Sequence, residues 1–131
     1  MPVAIDTSVL ISAEKQGDFE QLLPDDEGPF YIPALAAAEF LVGTQPPVRS
    51  DLRQRATQIY QTRLRSLVSA FTEADAAQLA ALISELKVLG QQMKFFDAGI
   101  AATALARRDK LLVLDGDFDR LQDRIQLLRP R

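Results

Sequence analysis

Apolar positions along the chain alternate between the continuous short runs expected of buried strands and the three-to-four spacing expected of helices. The run Val3–Ile5 is wholly apolar, as a parallel strand covered on both faces should be, and it ends at Asp6 ahead of a helix near 8–15. Residues 19–23 add a helical turn, closed by the turn-forming loop 24–29. Phe30, Tyr31 and Ile32 read as a second short strand, and Pro33 is placed to open a helix running to Gly43. After Pro46 and Pro47 a long helix is expected from about 50 to 68, with Leu52, Ala56, Ile59, Leu64, Leu67 and Val68 on its inner stripe. A strand at 69–71 precedes Thr72 and Asp75, which read as the capping pair of a helix whose Leu79, Leu82, Ile83, Leu86 and Leu89 line one side, stopped by Gly90. The Ala-rich stretch 97–108 is helical, 110–114 is the last inner strand, and 125–128 is an edge strand.

Strands alternating with helices predict an α/β fold, a three-layer α/β/α sandwich around a central, mostly parallel sheet. With 131 residues and 47% hydrophobic content, residues 1–131 are expected to form a single domain around one core. No stretch approaches the 18 uncharged apolar residues of a membrane span, and the N-terminus lacks a basic segment followed by an apolar one, so a soluble cytoplasmic protein with no membrane partner is expected.

Composition narrows the chemistry. The chain has no cysteine and no histidine, which excludes disulfides, thiolate zinc sites, Ser-His-Asp triads and imidazole bases. Carboxylates, Lys, Tyr or metal-bound water remain. The net charge of −3 is uneven: residues 1–48 carry −7, whereas 49–65 carry +4 through five arginines on the long helix. Such a stripe is either a solvated helix face or a place for a phosphate backbone.

Four acids sit in apolar or small-residue surroundings: Asp6, Glu39, Asp97 and Asp115. A carboxylate there is costly to desolvate without a cation or proton as partner, and two ionised carboxylates ~4 Å apart repel by roughly 4 kcal/mol at an effective dielectric near 20. A shared divalent ion answers both costs, and all-oxygen ligation favours Mg²⁺ or Mn²⁺ over Zn²⁺. Plainer roles exist for three of them. Asp6 before Thr7 and Ser8 suits a helix cap, Asp97 also suits a cap, and Asp115 suits a turn. Glu39, inside an Ala-rich helix, has no capping role, though a buried arginine could pair with it. Asp6 and Asp115 fall at carboxyl ends of strands, where ligands of parallel sheets bind, and Asp97 begins a helix pointing the same way.

In this order and context the segments resemble PIN-domain ribonucleases, specifically the VapC-type toxins of toxin–antitoxin pairs. DTSVLI carries Asp6 and Ser8, IPALAAAEFLVG carries Glu39, FFDAGIAATAL carries Asp97, and LLVLDGDFDRL carries Asp115 with Asp117. The resemblance implies an Mg²⁺- or Mn²⁺-dependent endoribonuclease, an RNA substrate, a cognate antitoxin and a homodimer. Asp6, Asp97 and Asp115 would be metal ligands, Glu39 would orient or deprotonate water, and Thr7, Ser8 and Asp117 would support them. Lys94, two residues before Phe96 and three before Asp97, is the leading candidate for a phosphate contact, followed by Arg53, Arg55, Arg63, Arg65, Arg129 and Arg131. One departure stands out: Val113 occupies a position where the family often has Ser or Thr, so Asp117 is the substitute if the fourth corner is altered. A haloacid-dehalogenase phosphatase would need an Asp where Ser8 stands, and a receiver domain would need an Asp and a Lys that are absent. The alternative is a catalytically inactive PIN-like module that binds RNA or protein.

Overall fold

The computed structural model describes residues 1–131. Its centre is a five-stranded sheet of β1 (Val3–Ile5), β2 (Phe30–Pro33), β3 (Val68–Ser69), β4 (Lys110–Leu112) and β5 (Leu127–Leu128), in the order β3-β2-β1-β4-β5. Every neighbouring pair is parallel, so the expected mostly parallel sheet is wholly so. Register is set by continuous apolar strands: Val3, Ala4 and Ile5 face Lys110, Leu111 and Leu112, and all three β1 residues are fully buried.

The helices are α1 (Thr7–Gln16), α2 (Ala34–Leu41), α3 (Ser50–Ile59), α4 (Glu73–Val88) and α5 (Phe95–Arg107). With right-handed crossovers, α1 to α3 cover one face and the paired α4 and α5 the other, giving the three layers. From β1 the chain moves to β2 and β3 on one side, whereas β4 and β5 lie on the other. The topological switch therefore falls between β1 and β4, and its carboxyl end is where a parallel sheet leaves a crevice. One cluster of 26 buried apolar residues fills the space between layers. No helix is long and apolar enough to cross a membrane.

Three local readings change. The long helix is α-helical only to Ile59; a π turn over Tyr60–Leu64 and a 3-10 turn over Arg65–Leu67 complete it. The apolar spacing explains this. Leu52, Ala56 and Ile59 keep α-helical spacing, but Leu64 follows Ile59 by five positions, and an i to i+5 turn returns it to the inside, where it is fully buried. The third strand lies at 68–69 rather than 69–71, because Arg107 captures the chain just beyond it: its guanidinium donates to Ser69 Oγ (2.9 Å), the Ala70 carbonyl (2.9 Å) and the buried carboxylate of Asp75 (3.1 Å). Asp75 also completes the expected capping box with Thr72. Finally, Leu89 was expected on the inner side of α4 but is exposed together with Val88: the helix ends at Val88, Leu89 is its cap residue, and the inner face of the last turn is Leu86, which is buried.

Candidate active site

The carboxyl rim of the sheet is where β1, β2 and β4 end and where α1, α2 and α5 begin, so acids near those boundaries are brought together by topology rather than by sequence spacing. Asp6 is the residue between β1 and α1. Its backbone is extended, and its Oδ2 accepts from the Ser8 amide at 3.2 Å and from the Ser8 hydroxyl, so the capping role is real. That role uses one oxygen. Asp6 is only 2% exposed, and its Oδ1 is buried with no hydrogen-bond partner. Burial pushes its pKa up to about 6, the two Ser8 bonds oppose the rise, and the charges of Asp97 and Asp115 add to it.

Ser8 does a second job at this corner. Its hydroxyl accepts from the Leu114 amide at 3.2 Å, and the Asp6 amide donates to the Leu112 carbonyl at 2.9 Å. These two bonds tie the start of α1 to the end of β4. Val113 is fully buried in the core while its amide continues the sheet to the Leu128 carbonyl, so the hydroxyl at this corner is Ser8's. Thr7 is also buried, and its hydroxyl has no partner.

Asp97 is the third residue of α5, whose cap is Lys94, and it makes no capping bond; the cap reading therefore does not hold for it. It is 9% exposed. Its pKa is pushed up to about 6, first by burial, then by Glu39, Asp117 and Asp115, against the nearby positive charge of Lys94. Gly99 lets α5 approach α2 closely here: a Cβ at that position would lie 2.1 Å from Leu35 Cδ1, so the Leu35 side chain occupies the space a larger residue would take. Glu39 is half-buried on α2 and reaches the same field, although its flank opens onto a groove it shares with Lys15, Phe40 and Arg55.

Asp115 is exposed and its Oδ1 accepts from the Asp117 amide at 3.1 Å, so the turn reading is correct for it. Asp117 acts on Asp97 more strongly than Asp115 does, while Asp115 is the one that acts on Asp6. Two acids of this turn, Asp115 and Asp117, thus bear on the buried pair Asp6 and Asp97. The turn is held by a residue that the sequence offered for a phosphate contact: Arg129 donates to the Asp115 carbonyl (2.7 Å) and to Asp119 (3.1 Å). Arg129 is committed to this support, and Arg131, Arg63 and Arg55 are similarly engaged by Asp25, Glu20 and Glu14. Lys94, Arg53 and Arg65 make no ion pair.

No three acidic side chains converge into a closed cage. What the rim offers is an all-oxygen donor set in which the most buried acid has an unused oxygen and two acids have pKa values raised first by burial and then by the charges of neighbouring acids. That chemistry fits a hard divalent cation such as Mg²⁺ or Mn²⁺, which would replace mutual repulsion with attraction.

A model of the PIN domain family matches residues 3–124. No curated protein matches the sequence. Among solved structures, the chain is similar to VapBC2 from Rickettsia felis bound to a DNA fragment from its promoter, with TM-score 0.78, 18% identity and 98% of each chain covered. It is similar to VapBC-5 from Mycobacterium tuberculosis, a member of a family of toxin–antitoxin systems, with TM-score 0.76, 23% identity and coverage of 100% of this chain and 99% of that one. FitAcB from Neisseria gonorrhoeae aligns with TM-score 0.69 and 17% identity over 96% of each chain. At these identities the likeness is one of fold.

Proposed function

The chain belongs to the PIN domain family, and from that premise we propose that it is a metal-dependent endoribonuclease serving as the toxin of a toxin–antitoxin pair. The observation that carries the reading is Asp6, a buried acid at the topological switch of a parallel sheet whose free oxygen its capping role leaves unexplained. Asp6, Asp97 and Asp115 are the residues we assign to Mg²⁺ or Mn²⁺, with Asp117 beside Asp115. When bound, such an ion supplies charge neutralisation for phosphate oxygens and acidification of a water.

The remaining work falls to the chain's own side chains. Ser8 holds Asp6 through Oδ2, which leaves Oδ1 without a hydrogen-bond partner. Glu39 approaches from α2 on the side of Asp97 and is the group placed to hold or take a proton from the attacking water. Lys94, the free cation closest along the chain to Asp97, neutralises the RNA backbone at the mouth of the site. Because several similar folds come from complexes described as toxin–antitoxin systems, a protein antitoxin is the partner we assign, alongside RNA substrate, a homodimer and a cytoplasmic setting. Residues 1–131 would act as one nuclease unit.

Two observations favour the inactive RNA- or protein-binding alternative: the acids form no closed cage, and Val113 contributes no hydroxyl. One assay separates them. Purified protein is incubated with RNA in Mn²⁺, in Mg²⁺ and in EDTA, alongside Asp6→Asn. Metal-dependent cleavage abolished by the substitution supports the nuclease; cleavage equal in all arms, or none in any, refutes it.

A further inference from the structure

A groove beside the candidate site is formed where α4 ends and α5 begins. Its floor and wall are Ile83, Leu86, Met93 and Phe95, with a volume of about 240 Å³. Phe95 is 60% exposed although it is a large apolar residue, and it stands edge-on to Phe96 with ring centroids 6.1 Å apart. A neighbouring aromatic thus limits how its ring can turn. Gln91, Gln92 and Lys87 line the same groove, and no acid does. Lys87 and Lys94 carry no ion-pair partner, in a chain where eight other cations do.

We propose that this groove is a nucleobase subsite for single-stranded RNA, in which one base stacks on Phe95 and its edge meets the glutamine amides, while Lys87 and Lys94 hold the flanking phosphates. The inference rests on the nuclease reading and adds to it where the strand lies. Three features select this occupant over a protein segment. The free charges are both positive in an acidic protein, which suits a polyanion. The groove lies beside the first turn of α5, which supplies its Phe95 and Ala98 and also carries Asp97. An exposed aromatic beside side-chain amides and lysines supplies both parts of single-strand recognition: a stacking face with edge contacts, and cations along the backbone.

The test uses fluorescein-labelled oligouridylate and oligoadenylate of 12 nucleotides, binding read by anisotropy in EDTA over a range of salt, and cleavage read separately in Mn²⁺. Phe95→Ala should weaken binding by about 5- to 150-fold, the effect of losing one stacked base, with the salt slope unchanged. Phe95→Trp should restore binding and Phe95→Leu should not. Lys87→Ala should instead flatten the salt slope by about 0.7. An abasic nucleotide scanned along the oligomer should weaken wild-type binding at one position and have no further effect on Phe95→Ala.

Wild-type binding by Phe95→Ala overturns the subsite whatever the cleavage result, and so does a Phe95→Ala protein that changes from dimer to monomer in sedimentation, which would make the groove an interface between copies. Binding with the expected Phe95 dependence but no metal-dependent cleavage would keep the subsite and remove the nuclease. No binding by the wild type would remove the subsite, leaving the Mn²⁺ cleavage arm to judge the nuclease alone.

Discussion

Replacing Asp6 with Asn should stabilise the metal-free protein at neutral pH while abolishing cleavage, and the size of the gain follows from the carboxylate's surroundings. The pKa of Asp6 rises from its ordinary 3.8 to about 6. Because the folded value lies above the unfolded one, the unfolded chain gives up this proton more readily, and ionisation disfavours the fold. With respect to this group, stability is fullest below pH 3.8 and is lost as pH rises through about 6. At ~1.4 kcal/mol per pH unit the loss at pH 7.5 is roughly 3 kcal/mol. Asn keeps the volume and can keep an acceptor toward Ser8, but it buries an amide N–H that costs about 1 kcal/mol if unpaired. A net gain of about 2 kcal/mol remains, which for a chain of this size corresponds to roughly 7 °C in Tm.

The assay is calorimetry of wild type and Asp6→Asn in EDTA from pH 4 to 8. Comparing the two cancels the titration of other acids, except for the interaction between Asp6 and Asp97, which the variant loses. The variant's advantage should be absent near pH 4 and grow through pH 6. Saturating Mn²⁺ at about 100 times its Kd should then stabilise wild type alone, by roughly 2.7 kcal/mol, and reverse the order. RNA cleavage by the variant should fall at least ~100-fold. A wild-type advantage at pH 7.5 in EDTA, or a difference independent of pH, would refute the argument that burial and like charge strain this carboxylate.

Four further outcomes follow from the same contacts. Ser8→Ala removes the hydroxyl bond that lowers the pKa of Asp6, so the pH at which the variant's metal-free melting temperature falls should move above that of wild type. Glu39→Gln should reduce turnover at least ~10-fold more than it reduces RNA binding, measured by single-turnover kinetics beside anisotropy; equal losses would assign Glu39 a structural role. Lys94→Ala should weaken RNA binding across sequences and flatten the salt slope by about 0.7, leaving Mn²⁺ affinity read by calorimetry nearly unchanged. Arg107→Met leaves Asp75 buried without its cation and should cost about 3 kcal/mol in urea unfolding, of which Asp75→Asn in the same chain should return more than half.

What was legible in the sequence was whatever a local run determines. Val3–Ile5, the Thr72 and Asp75 capping pair and the Gly90 stop each announce themselves in a few residues, and a parallel sheet then dictates where strand-end acids go. Contacts between distant segments were not legible. Arg107 shortens β3 from 38 positions away along the chain, and Arg129 supports the Asp115 turn from 14 positions away, so neither appears as a motif. The π turn lay between these cases. The five-residue step from Ile59 to Leu64 was visible, but it signifies a π turn only once Leu64 is known to point inward.

The four acids show how a structural role and a chemical one can occupy one residue. A cap or a turn accounts for particular atoms, not for whole side chains. Asp115 spends Oδ1 on the Asp117 amide, and Asp6 spends Oδ2 on Ser8, yet Asp6 still keeps a buried oxygen with no donor. Asp97 and Glu39 cap nothing, and each lies in the field of another acid. An arrangement chosen for stability alone would fill these positions with neutral groups, since each raised pKa is a folding cost at neutral pH. The cost is concentrated at the rim between β1 and β4, where the fold leaves a crevice, and stability offers no reason for that coincidence. A divalent cation bound at the rim would offset it.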